Sequence, residues 1–209
     1  NFKKAFHRVP MLSLANAFIE DDLINFEKKI FNFLSEDKNF KISYSAEPKI
    51  DGISASLYYK NGKLEKGLSR GDGKEGEDIT LNLLTINDIP KKIISKDFPK
   101  EIDVRGEVFI KNSDFENLKD KFANPRNAAS GSLRQKNPED TKKIPLNFIA
   151  YTYGFEKGLN IKSQSDFLEK LNEWGFKTNS LNKLISGVKN LILNYNEIEK
   201  QRANLDFDI

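Results

Sequence analysis

The chain has 209 residues, of which 38% are hydrophobic and 31% charged, with a formal net charge of +3 and no cysteine. This composition describes a globular protein large enough to bury a core. It excludes a disulfide framework and cysteine-based metal sites within these residues, and the near-neutral charge balance does not by itself demand a nucleic-acid partner. No apolar run reaches the length of a membrane span and no signal peptide is visible, so no membrane partner is expected.

In chain order, the spacing of Leu23, Phe26, Ile30, Phe33 and Leu34 behind Asp21 and Asp22 predicts an amphipathic helix over 21–35. From 40 to 70 the period changes to two. Ile53, Ala55, Leu57 and Tyr59 alternate with smaller or polar residues, and Asn61-Gly62 predicts a hairpin turn whose second arm, Leu64 to Leu68, returns Arg70 toward Lys49. Residues 71–78 form a Gly-rich acidic loop, read without further context as a solvated connection. A helical or irregular stretch then runs through Asn82-Leu83-Leu84 to a break at Ile89-Pro90.

Residues 102–110 predict a strand with Ile102, Val104, Val108 and Ile110 on one face. Asp103, Arg105, Glu107 and Phe109 fall on the other, so that face meets solvent or lines a polar cleft. Ser113-Asp114-Phe115 caps an expected helix near 113–121, and Leu146 to Phe155 is rich in β-branched and aromatic residues. Two helices follow, one at about 165–174 with Ser163 and Asp166 as a capping box and Gly175 as its stop, the other at about 187–203. The order of elements predicts an α+β fold of antiparallel strands flanked by helices.

The residue pattern with the most chemistry is Glu47-Pro48-Lys49-Ile50-Asp51-Gly52, followed by Arg70-Gly71-Asp72-Gly73. A lysine amine becomes a nucleophile when desolvation or cationic neighbours favour its neutral form, a carboxylate two residues away can orient it, and glycine permits close approach of a ligand. The Gly71–Asp78 loop holds no Gly-Lys-Ser/Thr, which argues against a P-loop, and a single histidine, His7, argues against a histidine triad or a His-rich metal site.

Taken together, several separated motifs resemble one family. They are His7 to Leu14, Glu47 to Gly52, Arg70 to Gly73 with Gly76 to Thr80, Val104 to Phe109, and Asn124 to Gln135. Their order and content are similar to the adenylation (nucleotidyltransferase) domain of bacterial NAD-dependent DNA ligases, and the Asn124–Gln135 segment is the one peculiar to that branch. The nearest alternative, an ATP-dependent nucleotidyltransferase acting on DNA or RNA, lacks it. A third possibility is a catalytically dead binding module, which the presence of Lys49, Asp51 and Glu107 disfavours.

The resemblance implies an ATP-grasp-like nucleotidyltransferase domain spanning 1–209 and cut from a longer protein. The nicotinamide-mononucleotide-binding domain before it would be absent. So would the end of the domain and the oligonucleotide-binding, zinc-finger, helix-hairpin-helix and BRCT domains beyond it. It implies Lys49 as the nucleophile that takes AMP from NAD, with Asp51 orienting it or contacting a metal-bound water. Ser13 and Leu14 would line the base pocket, Glu47 would meet the adenine amino group, and Tyr151 would stack on the base. Glu107 would hold the ribose and Arg70 ribose or phosphate, while Arg126 and Arg134 would grip the 5′-phosphate of the nick. Arg202 matches a position near the pocket. Without the resemblance, Tyr151 reads as a core aromatic and Arg126 and Arg134 as surface salt-bridge partners.

NAD as AMP donor, Mg²⁺ or Mn²⁺, nicked double-stranded DNA as partner, a monomeric state and a cytoplasmic, nucleoid-associated location are implied in the same way. Zn²⁺ is expected only in the absent C-terminal region, and no metal ligand within the chain. Ile144 stands where the family often carries a basic residue before proline, so no phosphate contact is expected there.

Overall fold

The computed structural model describes residues 2–35 and 40–209. Its elements in chain order are β1 (Lys4–Phe6), α1 (Glu20–Leu34), β2 (Ser43–Ala46), β3 (Ile53–Lys60), β4 (Lys63–Ser69), β5 (Glu75–Glu77) and α2 (Thr80–Leu83). There follow β6 (Glu101–Ile110), α3 (Asn112–Phe115), α4 (Pro125–Leu133), α5 (Pro138–Lys142), β7 (Leu146–Lys157), α6 (Gln164–Glu173), β8 (Lys183–Ser186) and α7 (Val188–Gln201). Every ladder between these strands is antiparallel, in keeping with the α+β expectation. The backbone divides into two compact units, one comprising the residues up to Leu12, Lys49–Ser180 and Asp206–Ile209, the other Ser13–Pro48 and Leu181–Leu205.

The first unit is organised by a four-stranded sheet in the order β4-β3-β6-β7. Asn61 and Gly62 have φ of 48° and 74°, the pair of positive values that a type I′ turn requires, so the expected hairpin forms where Asn-Gly stands. On one face Ala55, Leu57, Tyr59, Ile102, Val104, Val108, Phe148 and Ala150 are buried. They meet Leu83, Ile86 and Ile89 after β5, and Phe167, Leu171, Trp174 and Phe176 around α6. Burial of this apolar face is the main driving force for the unit.

Phe148 and Ala150 alternate with Ile149 in β7, and α6 begins as its sequence specified. The Ser163 hydroxyl accepts from the Asp166 N–H at 3.1 Å, while the Asp166 carboxylate reaches the Lys162 N–H, one residue earlier than a strict capping box. Gly175, with φ of 90°, follows the helix C-terminus.

Other local expectations are corrected. Ser113 does not cap a helix over 113–121; Lys111 occupies the N-cap of α3, and both the N–H and the hydroxyl of Ser113 donate to the Asp206 carboxylate at 2.8 Å. The Gly-rich loop is not a free connection. Its residues 75–77 pair with β1, and Met11 N–H donates to the Gly73 carbonyl at 2.8 Å. The Asn124–Gln135 segment, to which periodicity assigned no element, contains α4. The Asn124 side chain caps it by accepting from the Asn127 N–H at 2.7 Å, Pro125 starts it, and Ala128, Ala129, Ser132 and Leu133 are buried. Small residues on that face let the helix lie close over its neighbours, where Ala128 and Ala129 join Ile110, Phe115 and Leu118 in a second cluster. Ile144 packs partly buried against that cluster.

In the second unit β2 pairs with β8, and Glu27 of α1 accepts from the Tyr44 hydroxyl at 2.8 Å and from the Val188 N–H at 3.0 Å. Helix α1 forms as predicted, yet none of its residues is fully buried, and Phe33 is 87% exposed. Two helices beside a two-stranded ladder offer no further layer to enclose its apolar stripe.

Candidate nucleotide site on the polar face of the sheet

The reverse face of the sheet carries polar side chains that the ladder places in rows. Opposite one another on β3 and β6 stand Ser54 and Glu107, Ser56 and Arg105, and Tyr58 and Asp103. Directly opposed residues of an antiparallel pair share a face. The face is buried rather than open: Asp103, Arg105 and Glu107 are 5%, 8% and 7% exposed.

Half of this face is filled by the chain's own lead-in segment. The Arg8 guanidinium lies between the Tyr58 and Phe155 rings, 3.9 and 4.1 Å from their centroids, and pairs with Asp103 and Glu101. The Arg105 guanidinium donates to the carbonyls of Val9 and Pro10. Arg8 and Arg105 therefore anchor residues 8–10 across the sheet. His7 Nε2 makes a hydrogen-bond contact with the Arg70 carbonyl at 3.1 Å.

The other half gathers Arg70, Glu107 and Tyr151, with Lys49, Asp51 and Arg126 beside them. The Arg70 N–H donates to the Ser54 carbonyl at 3.2 Å, extending the β3–β4 ladder, so the hairpin does return Arg70 to the start of β3. Glu107 accepts from the Ser54 hydroxyl at 2.8 Å. Burial pushes the Glu107 carboxyl above its ordinary range. The Ser54 hydroxyl and the positive charges of Lys49 and Arg126 oppose that shift, while Asp51 adds to it. These interactions put Lys49, Asp51, Glu107 and Arg126 within electrostatic reach of one another.

Tyr151 enters the same group through an irregularity of the sheet. Arg105 pairs with Thr152 and Gly106 with Ala150, so Tyr151 is the extra residue of a bulge. Its hydroxyl interacts with Ser54, and burial and the Glu107 charge both raise its pKa, which keeps the phenol protonated. It is not a core aromatic.

Gly52 is required by packing: a Cβ there would lie 2.3 Å from the Val108 carbonyl oxygen and 2.9 Å from Glu107 Cγ. Its absence of a side chain lets the Lys49–Asp51 loop press against β6 beside Glu107. That loop is further held by the Asp51 N–H, which donates to the Asp208 carbonyl at 2.8 Å, and Phe207 stacks edge-on against Phe109. Lys49 itself is solvent-exposed.

Arg126, at the start of α4, donates to Asp51 Oδ1 at 2.5 Å. Arg134 lies at the far end of α4 and donates to Glu77 at 2.9 Å. Ser13, Leu14, Glu47 and Arg202 belong to the second unit. There the Ser45 hydroxyl donates to Glu47 at 2.8 Å, and Leu14 is 74% exposed. The residue that sequence reasoning missed is Ser54. Its place opposite Glu107 follows from pairing two strands 53 residues apart, and no local pattern marks it. A cavity of about 260 Å³ lined by Thr85, Asn87, Lys142 and Leu146 lies away from this cluster and contains none of these groups.

An exposed lysine, a buried carboxylate, two arginines and a phenol lie on or beside one sheet face, a donor set chemically suited to an anionic ligand that carries hydroxyl groups. Comparison with known proteins gives the family: residues 1–209 match the NAD-dependent DNA ligase adenylation domain, and the chain belongs to that family. Among similar proteins, a DNA ligase of Pelagibacter ubique is 70% identical over 209 residues, covering all of this chain and 31% of its own length. DNA ligases of Rhodospirillum rubrum and Xanthobacter autotrophicus are 46% and 44% identical, again over the whole chain and 31% and 30% of their lengths. The chain thus spans about a third of the length of the curated relatives it matches. Among the described residues no helix is long and apolar enough to cross a membrane.

Proposed function

We propose that this chain performs the AMP-capture step of an NAD-dependent DNA ligase, with Lys49 as the nucleophile. The observation that carries this reading is the convergence of Lys49, Asp51 and Arg126 around the buried Glu107 carboxylate in a member of this family. The Lys49 amine attacks the α-phosphorus of NAD; an N–P bond forms, the pyrophosphate P–O bond breaks, and nicotinamide mononucleotide leaves. In the intact enzyme the AMP passes to the 5′-phosphate of a DNA nick, and attack by the 3′-hydroxyl seals the strand and expels AMP.

The donor set fits the adenosine half of NAD. Glu107 offers a carboxylate to the ribose hydroxyls, Tyr151 offers a ring face to the base, and Lys49, Arg70 and Arg126 offer positive charge to the phosphates. Arg126 and Arg134 hold the nick phosphate and adjoining backbone, where the planar guanidinium suits bidentate contact.

Among the described residues no three His, Cys, Asp or Glu side chains gather into a metal site. Mg²⁺ would be held by substrate phosphates and water, with Asp51 meeting a metal-bound water, and would supply neutralisation of phosphate charge. Asp51 also orients the Lys49 amine. The fold is read as the ATP-grasp-like nucleotidyltransferase type, acting as a monomer with nicked duplex DNA in the bacterial cytoplasm.

The test is intact-mass measurement of the full-length protein incubated with NAD or with ATP. A covalent AMP from NAD, removed by added nicotinamide mononucleotide and absent from Lys49→Ala, is expected. An adduct formed from ATP alone would replace the donor, and an adduct that persists in Lys49→Ala would replace the nucleophile.

A further inference from the structure

Ser54 is the shared neighbour of three residues assigned to the nucleotide above, two through its hydroxyl and one through its backbone. Its hydroxyl donates to Glu107 Oε2 at 2.8 Å and neighbours the Tyr151 phenol, while its carbonyl accepts from the Arg70 N–H. A serine hydroxyl has one proton to give. Ser54 gives that proton to Glu107, and Tyr151 is the second neighbour of the same hydroxyl. Ser54 on β3 thus stands between Tyr151 on β7 and Glu107 on β6. A carboxylate has about four lone-pair sites, so one bond from Ser54 fixes the group and leaves acceptors for a ligand.

We infer that Ser54 is a positioning residue for adenosine binding, holding the Glu107 carboxylate and the Tyr151 phenol in one mutual arrangement for the ribose and base of NAD. This rests on the function proposed above. An apolar residue of the same size would leave Glu107 buried, with two cations as its only favourable partners, free to choose another rotamer. Four charged or titratable groups face Glu107: Lys49 and Asp51 from the loop before β3, Arg126 from α4 and Tyr151 from β7. Removing the Ser54 hydroxyl takes away an interaction that favours the ionised form and leaves the burial that opposes it. Protonation of Glu107 then occurs at higher pH.

The experiment uses the full-length protein carrying Ser54→Ala or Ser54→Thr, assayed for AMP adduct formation across NAD concentration and pH, with thermal melting alongside. Ser54→Ala is expected to raise KM for NAD about five- to tenfold at little-changed kcat, from loss of a hydrogen bond to a charged group. It should also move the acidic limb of kcat/KM to higher pH, and Ser54→Thr should restore both. A wild-type KM and acidic limb in Ser54→Ala would overturn the inference. So would a loss confined to kcat and melting temperature, since that is what a purely structural role would give. If the wild-type protein forms no adduct from NAD, the function proposed above fails; if it does and Ser54→Ala matches it, only the role of Ser54 fails.

Discussion

The Arg126 guanidinium lies 2.5 Å from the Asp51 carboxylate, joining the start of α4 to the loop that carries Lys49. Both side chains are about half exposed, at 51% and 45%, so water screens the pair and it contributes little to stability. Arg126→Ala should therefore change the unfolding free energy by less than about 1 kcal/mol. AMP transfer to nicked DNA should fall about a hundredfold, the scale of losing a bidentate phosphate contact. Denaturant melts and single-turnover transfer from preformed adduct measure the two effects separately. A large stability loss with unchanged transfer would assign Arg126 to the fold instead.

Glu107 is buried, and burial raises its carboxyl pKa against the pull of Ser54, Lys49 and Arg126. A folded-state pKa above the unfolded one means that its stabilising contribution is fully present at low pH and lost as pH rises through the folded value. Glu107→Gln should accordingly melt higher than wild type near pH 8, and the advantage should shrink as pH falls toward the ordinary carboxylate range. Binding should move the opposite way, with KM for NAD rising about tenfold as the charged acceptor is lost. Calorimetry across pH together with adduct kinetics checks both signs.

Gly52 presses the nucleophile loop against β6, and a Cβ there would stand 2.3 Å from the Val108 carbonyl oxygen. Gly52→Ala should cost roughly 1–3 kcal/mol of stability, the range for forced overpacking. It should also slow adduct formation, because the loop must move away from Glu107. Equal stability in urea titration would show that the glycine serves ligand approach alone.

Helix α4 depends on its cap. Asn124→Ala removes the acceptor for the Asn127 N–H and should destabilise the protein by about 1 kcal/mol, visible as a lower urea midpoint at unchanged slope. Leu133→Ala, at a buried site beneath the same helix, should cost about 2–5 kcal/mol. Neither substitution touches the Lys49 loop, so the stability change should exceed any change in KM.

What could be read before the chain was folded follows from range. The Asn61-Gly62 hairpin, the alternation of β3, the two faces of β6 and the Ser163 cap rest on neighbours a few residues apart, and each appears where expected. Helix α4 was missed because Asn127, Ser130 and Gly131 break the apolar period, although Asn124-Pro125 is a start signal that could have found it. Ser113 was misread because Asp206, its true partner, lies 93 residues away.

By itself the sequence determined the residue types of the proposed nucleotide site, most of the strands around it and the family to which the chain belongs. Only the tertiary structure decided which of them meet. Strand register set Ser54 against Glu107, a bulge turned Tyr151 toward both, and a carbonyl too close for any Cβ held Gly52 and its loop against β6. The reason is that pairing and burial act between residues far apart in the chain, and the pKa of Glu107 is a property of that burial rather than of the glutamate.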